Sequence, residues 1–418
     1  MKIYLSNKVN CIYKFDNIMY IYDEERKFQV SQPIQSLVDL YLDGAFDFDE
    51  MLHELIKKYK IEGSLSNIKS IIQNNRQFKA IFQFERCNNY AKVFGEYGKR
   101  FPYELHIELT NMCNLNCPHC YKRANAGNIS FLNFDDLKEN ILSACRGKTR
   151  VLHLTGGEPS LHPDFCEIVE TTSSLFHLQL TTNGANLWTL PVSVIKKFSD
   201  IDISMYGASP QAYAENTGNL YAYNDFENTC KLLRDNNINF RITMVVNNKN
   251  IRNLDEYVVK AIALGASSFS FGLPTQTGRL IESPDDDWVC NREMINYTYR
   301  YIRMAKKKYE NNINIIEWER DVYAHESDIF GCNYMLPCKG GTYSWWVDEK
   351  MGFRPCAMIP EEYILLSYVD WINYCENNYN IDWKDSYFKL KQFCFRNKIT
   401  PADLCHVFKN EKDTQTQL

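Results

Sequence analysis

Nowhere in the 418 residues is there a continuous apolar run of about 18 residues, the length that a membrane-crossing helix needs. The amino terminus, Met1-Lys-Ile-Tyr-Leu-Ser-Asn-Lys8, also lacks the unbroken apolar core of a secretory signal. The expected setting is therefore the cytoplasm, with no membrane partner. Positive charge is not in excess either: 47 Lys and Arg face 52 Asp and Glu, for a formal net charge of -5 and a pI near 6.0. That balance argues against nucleic acid as a partner, because phosphate neutralisation needs clustered cations. The run Lys306-Lys-Lys308 reads as a solvated helix face. Nothing resembles a disordered composition, since 45% of the residues are hydrophobic and the length suffices for two or three cored domains.

Cysteine, by contrast, is plentiful, with 15 residues. A long chain without a secretion signal belongs to a reducing compartment, where clustered cysteines bind metal more often than they pair. Cys145, Cys166 and Cys230 fall within helical patterns and read as buried structural thiols. The distinctive set is Cys113-x3-Cys117-x2-Cys120. It follows an alternating strand pattern, Glu104-Leu-His-Ile-Glu-Leu-Thr110, in a loop rich in Asn and Pro. Three thiolates so closely spaced can wrap three corners of a cubane iron-sulfur cluster and leave the fourth iron open. A zinc knuckle is the alternative, but structural zinc takes four ligands and His119 lies beside Cys120, poorly placed to be the fourth.

A second motif completes the first. Val151-Leu-His-Leu-Thr155 reads as another buried strand, followed by Gly156-Gly157-Glu158-Pro159. Here glycines let the backbone approach a ligand closely, and Glu158 can accept from an ammonium group. Together the two motifs resemble the radical S-adenosylmethionine (radical SAM) superfamily, whose Cx3CxΦC loop carries a [4Fe-4S] cluster. His119 stands at the Φ position. The resemblance implies that Cys113, Cys117 and Cys120 hold the cluster. It also implies that SAM binds the open iron through its amine and carboxylate, with Gly156, Gly157 and Glu158 at the amine. One-electron cleavage of SAM would then give a 5'-deoxyadenosyl radical that abstracts hydrogen from a substrate.

The middle of the chain alternates strand and helix patterns. Strands are expected at 104–110, 151–155, 177–181, 202–205, 240–246 and 268–271, with helices at 133–145, after Pro163, and at 226–235 and 254–264. Six strand-helix units imply a parallel sheet, and the resemblance selects a partial (β/α)6 barrel among α/β folds. Ligands in such folds gather at the carboxyl ends of the strands, where both motifs fall. In the family a Ser-x-Asp pattern on the fourth strand meets the ribose. Here it reads Ser204-Met-Tyr206, so Ser204 and Asn183 become the expected donors. Thr182-Asn183-Gly184 also reads as a plain turn, and Gly278-Arg279 either as a reach toward a carboxylate or nucleoside or as a surface arginine.

The last hundred residues suggest a hairpin: Tyr343-Ser-Trp-Trp-Val-Asp348, a turn at Glu349 to Gly352, then Phe353-Arg-Pro-Cys356, with Cys338 shortly before. The segment resembles SPASM and twitch domains, which bind auxiliary clusters. Only Cys375, Cys394 and Cys405 follow, without a CxxC pair. This implies one auxiliary [4Fe-4S] cluster on Cys338, Cys356, Cys394 and Cys405, with Cys332 or Cys375 as substitutes. Cys394 and Cys405 as buried thiols remain the alternative.

Residues 14–23 and 27–30 alternate like strands, and helical patterns run through 34–42, 48–59 and 65–74. This winged-helix-like α+β pattern resembles PqqD-like domains, which capture a leader peptide as an added strand. The acidic turns at Asp23 to Glu25 and Asp47 to Glu50 oppose DNA binding. The expected organisation is a peptide-recognition domain at 1–85, a linker at 86–101, the barrel at 102–312 and an auxiliary-cluster domain at 313–418. This layout resembles sactipeptide maturases and implies a ribosomally made precursor peptide as substrate. The expected reaction is bacteriocin-type sulfur-to-carbon thioether formation, with a flavodoxin- or ferredoxin-type electron donor. Peptide epimerisation, carbon-carbon crosslinking, a small-molecule dehydrogenase and a non-enzymatic leader-binding scaffold are the alternatives.

Overall fold

The computed structural model describes residues 1–23, 27–87, 89, 91–125, 127, 129–275, 277–317, 341, 343–357 and 365–377. The chain divides into two compact units. One is Met1–Tyr103 with Gly147–Thr149 and Asn373–Tyr379, and the other is built on Glu104–Arg146 and Arg150–Ile372.

In the first unit the strands are β1 (Tyr4–Leu5), β2 (Val9–Asp16), β3 (Ile18–Asp23), β4 (Lys27–Gln29), β5 (Phe82–Gln83) and β6 (Lys92–Tyr97). Its helices are α1 (Gln32–Leu42), α2 (Phe48–Tyr59), α3 (Leu65–Asn74) and α4 (Arg76–Ile81). The sheet order is β4-β3-β2-β6, and β1 pairs separately with β5. The run 14–23, which alternates like one strand, is a turn and its flanks. Phe15 pairs with Ile18 across a tight turn in which Asp16 takes a φ of 51°, a conformation that Asp tolerates better than most residues. The stretch 86–101, read as a linker, contains β6, which pairs parallel with β2 from Cys11–Lys92 to Asp16–Tyr97. Gly95 permits that pairing, because a Cβ there would lie 2.0 Å from the Lys14 carbonyl oxygen. Ile12, Met19 and Ile21 of the sheet share a buried core with Leu37, Val38, Phe48, Leu52, Leu55 and Phe78 of the helices.

The second unit contains β7 (Glu104–Glu108), β8 (Val151–Thr155), β9 (His177–Thr182), β10 (Asp200–Ser204), β11 (Arg241–Val245) and β12 (Ser268–Gly272). These six lie side by side in chain order and all parallel. Helices at Phe165–Ser173, Ala222–Asp235 and Leu254–Leu264 connect them, and the first crossover helix takes a π-helical pitch over Leu137–Leu142. The expected half-barrel core is thus present, and further strands extend it at both edges. β13 (Asn314–Ile315) adds parallel to β12, and β14 (Ser344–Val347) adds parallel to β7. β15 (Phe353–Arg354) then pairs antiparallel with β14, so the expected hairpin is also part of the barrel sheet.

Pleating separates two faces of this sheet, because successive side chains point to opposite sides. Leu105, Ile107, Leu152, Leu154, Leu178, Leu180, Ile203, Ile242, Met244 and Phe269 are buried on one face. The alternating positions carry Glu104, His106, Glu108, His153, Thr155, Thr181, Asp202, Ser204, Arg241 and Thr243. A parallel sheet covered on both faces reads as continuous apolar runs. Here the alternation marks a face that helices do not cover.

α2 is capped by the Asp47 carboxylate, which accepts from the Asp49 and Glu50 amides, yet the helix ends on Lys60 in the left-handed region at φ 50°. Lys60→Gly removes that backbone strain at an exposed position. It should stabilise the first unit by about 0.5–1 kcal/mol, read as a raised denaturation midpoint with an unchanged circular dichroism spectrum.

Candidate functional site

The cysteine loop begins where β7 ends and is held by the segment that follows β8. Gly157 N–H donates to the Thr110 carbonyl at 2.7 Å, and Glu158 N–H donates to the Met112 carbonyl at 2.7 Å. A Cβ on Gly157 would lie 2.1 Å from the Met112 oxygen, and one on Gly156 would lie 2.6 Å from the Thr110 oxygen. Both glycines therefore serve contact between the two motifs. The close approach expected toward a ligand is made toward the cysteine loop.

Cys113 and Cys117 are buried and Cys120 is half-buried. Backbone amides point at two of the sulfurs, from Leu115 to Cys113 Sγ and from Ala124 to Cys120 Sγ, each at 3.4 Å. Asn183 Nδ2 approaches Cys113 Sγ at 3.6 Å. Burial pushes the Cys113 thiol up to about 12, with the neighbouring Glu158 and Cys120 charges adding to the effect. It pushes Cys117 upward too, again with its two sulfur neighbours adding. The sulfurs thus share one electrostatic environment.

Glu158 is fully buried. Its Oε1 accepts from Ser160 N–H at 3.1 Å, Ser160 Oγ at 2.5 Å and Thr182 Oγ1 at 2.7 Å, while Oε2 accepts from Asn183 N–H at 2.7 Å. Burial raises its pKa, and these donors act against that rise. The carboxylate thereby ties the end of β8 to the end of β9 and places Asn183 between itself and Cys113. Asn183 Nδ2 also donates to Asn114 Oδ1 at 2.8 Å, so Thr182-Asn183-Gly184 is a turn that braces the loop.

Gly278-Arg279 braces the same loop from the far side. Arg279 donates to the Cys117 carbonyl at 2.7 Å and also to the Ala124 carbonyl, while its backbone N–H reaches the Cys120 carbonyl at 3.1 Å. It is neither a surface residue nor aimed at an incoming carboxylate. His119 stacks on Trp288 at 4.0 Å and lies 5.9 Å from the Tyr206 ring. Burial lowers its pKa to about 4, so the imidazole is neutral near pH 7. Its Nδ1 is buried and has no hydrogen-bond partner among the described residues. Ser204 closes β10, and the Tyr206 phenol two residues on is pushed upward by burial and by the neighbouring Cys117.

A buried charge network, not evident in the sequence, joins the loop to the hairpin. Arg354 donates to both Glu108 oxygens, at 2.7 and 2.8 Å. Lys122 bridges Glu108 at 2.7 Å and Glu349 at 2.6 Å, and Tyr121 OH donates to Glu108 at 2.8 Å. Burial alone would raise the Glu108 carboxyl, but Lys122 and Arg354 outweigh it and hold the pKa below the ordinary value. Of the residues expected to hold an auxiliary cluster, Cys338, Cys394, Cys405 and the substitute Cys332 lie outside the described residues. Cys356 is half-buried just after β15. Cys375 is buried in the Tyr368–Asn377 helix and falls with the first compact unit.

A set of cysteine sulfurs at the carboxyl end of a strand, supplied with N–H donors and buried so that bare thiolates are unfavourable, fits a cationic iron-sulfur group. The half-barrel is a radical SAM domain, and residues 107–261 match the Radical SAM superfamily. That class uses a [4Fe-4S] cluster and SAM.

The chain is similar to the antilisterial bacteriocin subtilosin biosynthesis protein AlbA of Bacillus subtilis (strain 168), 25% identical over 300 residues, 70% of this chain and 63% of AlbA. It is also similar to the sporulation killing factor maturation protein SkfB of the same organism, 25% identical over 268 residues, 64% of this chain and 63% of SkfB. The matches thus span less than two thirds of either relative. In fold the chain resembles Streptococcus suis SuiB bound to precursor peptide SuiA, with a TM-score of 0.65, 13% identity, and coverage of 90% of this chain and 89% of SuiB. Among the described residues, no helix is long and apolar enough to cross a membrane.

Two substitutions test the braces. Gly157→Ala should displace the cysteine loop and abolish iron incorporation, read as loss of visible iron-sulfur absorption after anaerobic reconstitution. Arg354→Met leaves Glu108 buried with one cation fewer and should cost about 3–5 kcal/mol of stability, measured by denaturant titration.

Proposed function

We propose that this protein is a cytoplasmic peptide maturase that removes hydrogen from a ribosomally made precursor and installs sulfur-to-carbon thioether crosslinks. The observation that carries this reading is the similarity to AlbA, named for biosynthesis of the bacteriocin subtilosin, and to SkfB, named for maturation of the sporulation killing factor. The fold likeness to a precursor-bound enzyme, extending over 90% of the chain, supports the same reading.

In this proposal Cys113, Cys117 and Cys120 hold the SAM-binding cluster. When bound, cluster and SAM together supply a one-electron cleavage that generates a hydrogen-abstracting species. The chain's own residues position and shield it. Gly156, Gly157 and Glu158 present the segment that meets the amino end of SAM, with one lone-pair direction of Glu158 Oε2 still available. Asn183 and Ser204 lie toward the ribose, and neutral His119 covers the loop with a free ring nitrogen. Trp288 and Tyr206 exclude water around it, which strengthens each polar contact inside. Cys356, with Cys338, Cys394 and Cys405, would hold an auxiliary cluster.

The first unit would recognise the leader. Its sheet ends on β4, a three-residue strand with one side paired to β3. An edge of this kind offers main-chain groups to an added strand. The electron donor would be a small flavodoxin- or ferredoxin-type protein, and neither nucleic acid nor membrane would be a partner.

Thioether formation replaces one S–H and one C–H bond with an S–C bond. One hydrogen leaves by abstraction and the other as a proton plus an electron. Anaerobic coexpression with the small peptide encoded beside the enzyme should therefore give a product lighter by two hydrogens per crosslink, with tandem mass spectra locating the bond on cysteine sulfur. Cys113→Ala should leave the peptide unmodified. An unchanged mass with inverted stereochemistry would replace this reading with epimerisation, and failure of the peptide to bind would remove the peptide reading altogether.

A further inference from the structure

The geometry points to a divalent-cation site on the polar inner face of the half-barrel, formed by Glu104, His106 and His153. The three residues come from adjacent strands in register. His106 of β7 lies directly opposite His153 of β8, and Glu104 precedes His106 by two residues on the same face. Glu104 Oε1 lies 3.2 Å from His106 Nε2 and 3.4 Å from His153 Nδ1. All three donor atoms lie within 4.8 Å of one another. Tetrahedral coordination with bonds of about 2.0–2.1 Å places neighbouring ligand atoms about 3.3–3.4 Å apart. The two spacings to Glu104 already match that edge.

The rings are held in place as ligands are. Trp346 of β14 lies flat on His106, with ring centroids 3.7 Å apart and planes 3° from parallel. His153 Nε2 lies 2.7 Å from Thr181 Oγ1 on β9. With Nε2–H donated to that hydroxyl, the Nδ1 lone pair faces Glu104, which is the tautomer a metal ligand requires. The side chains keep 13–19% of their surface exposed, so water has a route to a further coordination position.

Two imidazoles and one carboxylate without a thiolate suit zinc or ferrous iron better than magnesium or calcium. On the same face Asp202 is matched by Arg241 at 2.7 Å and Thr243 at 2.7 Å. Arg241, whose charge also acts on Glu104, is thus engaged with Asp202. The centre is separate from the cysteine loop, because Glu104 opens β7 while the cysteines follow its carboxyl end. It does not depend on the peptide reading.

The competing arrangement is two neutral imidazoles both donating to Glu104, in which His153 carries its proton on Nδ1 and Nε2 accepts from Thr181. Zinc binding to the cluster-loaded, full-length protein separates the two. After anaerobic reconstitution and equilibration with a zinc-buffered solution, elemental analysis should give about one retained zinc per chain at unchanged iron content. The zinc K-edge spectrum should show a nitrogen and oxygen shell with imidazole scattering. Glu104→Gln and His153→Gln should each weaken zinc binding more than tenfold, and Thr181→Val by about tenfold, with iron content and circular dichroism unchanged. The inference is overturned if no zinc is retained, if the shell is sulfur, or if the variants bind zinc as the parent does. Should a ligand variant lose iron or helicity, the Thr181→Val comparison and the spectrum of the parent protein decide the matter.

Discussion

Two backbone hydrogen bonds, from Gly157 to the Thr110 carbonyl and from Glu158 to the Met112 carbonyl, fix the geometry on which the rest of the site depends. They let the loop after β7 and the loop after β8 run in contact, closer than any Cβ would permit. Without that contact the ordering entropy of the cysteine loop would be offset by little more than the burial of Leu115 and Ala124. Glu158 then carries the constraint one strand further, because its carboxylate holds Ser160, Thr182 and Asn183 and so brings Asn183 against Cys113. A chain of short-range contacts thus runs across the carboxyl ends of β7, β8 and β9. Arg279 closes it from beyond β12.

The opposite side of the loop is anchored by charge. Glu108, Glu349, Lys122 and Arg354 are all buried, two of each sign, so the network is neutral as a whole. A network of this kind contributes little net stability compared with apolar packing, but it penalises any arrangement that leaves one member unpaired. It therefore specifies a position. Arg354 reaches Glu108 in one geometry, and that geometry seats β14 beside β7 with β15 on its outer side.

What the sequence made legible follows from range. Alternation and helical period are local signals, and the six barrel strands and three of the four helices of the first unit lie within a few residues of their expected places. The cysteine and glycine motifs were equally readable, because each is contiguous. The partners of those motifs were not. Arg354 and Glu108 are separated by 246 positions, and nothing near Arg354 distinguishes it from an exposed arginine. Gly278-Arg279 could be placed but not assigned, since the carbonyls it serves are more than 150 residues away. β6 escaped for a different reason. Its pattern Lys92-Val-Phe-Gly-Glu-Tyr97 is half-exposed and broken by a glycine, and a strand whose register depends on that glycine looks like a linker. One clue was available in the barrel strands, where charged residues at alternate positions of β7 argued for an uncovered polar face.

The burial of the cysteines has a final consequence for how the site comes to be filled. Cys113 and Cys117 are favoured as thiols over thiolates, because burial and the neighbouring sulfurs both raise their pKa. A cluster held there as proposed would require thiolates, so its loading would displace protons, and the free energy of metal binding would have to cover that cost before it stabilised the loop. The amides of Leu115 and Ala124 reduce the cost by pointing at the sulfurs in advance. The same donors remain once charge has formed, where they act on a far larger negative density. That cost accounts for the bracing that Gly157, Glu158 and Arg279 give the cysteine loop.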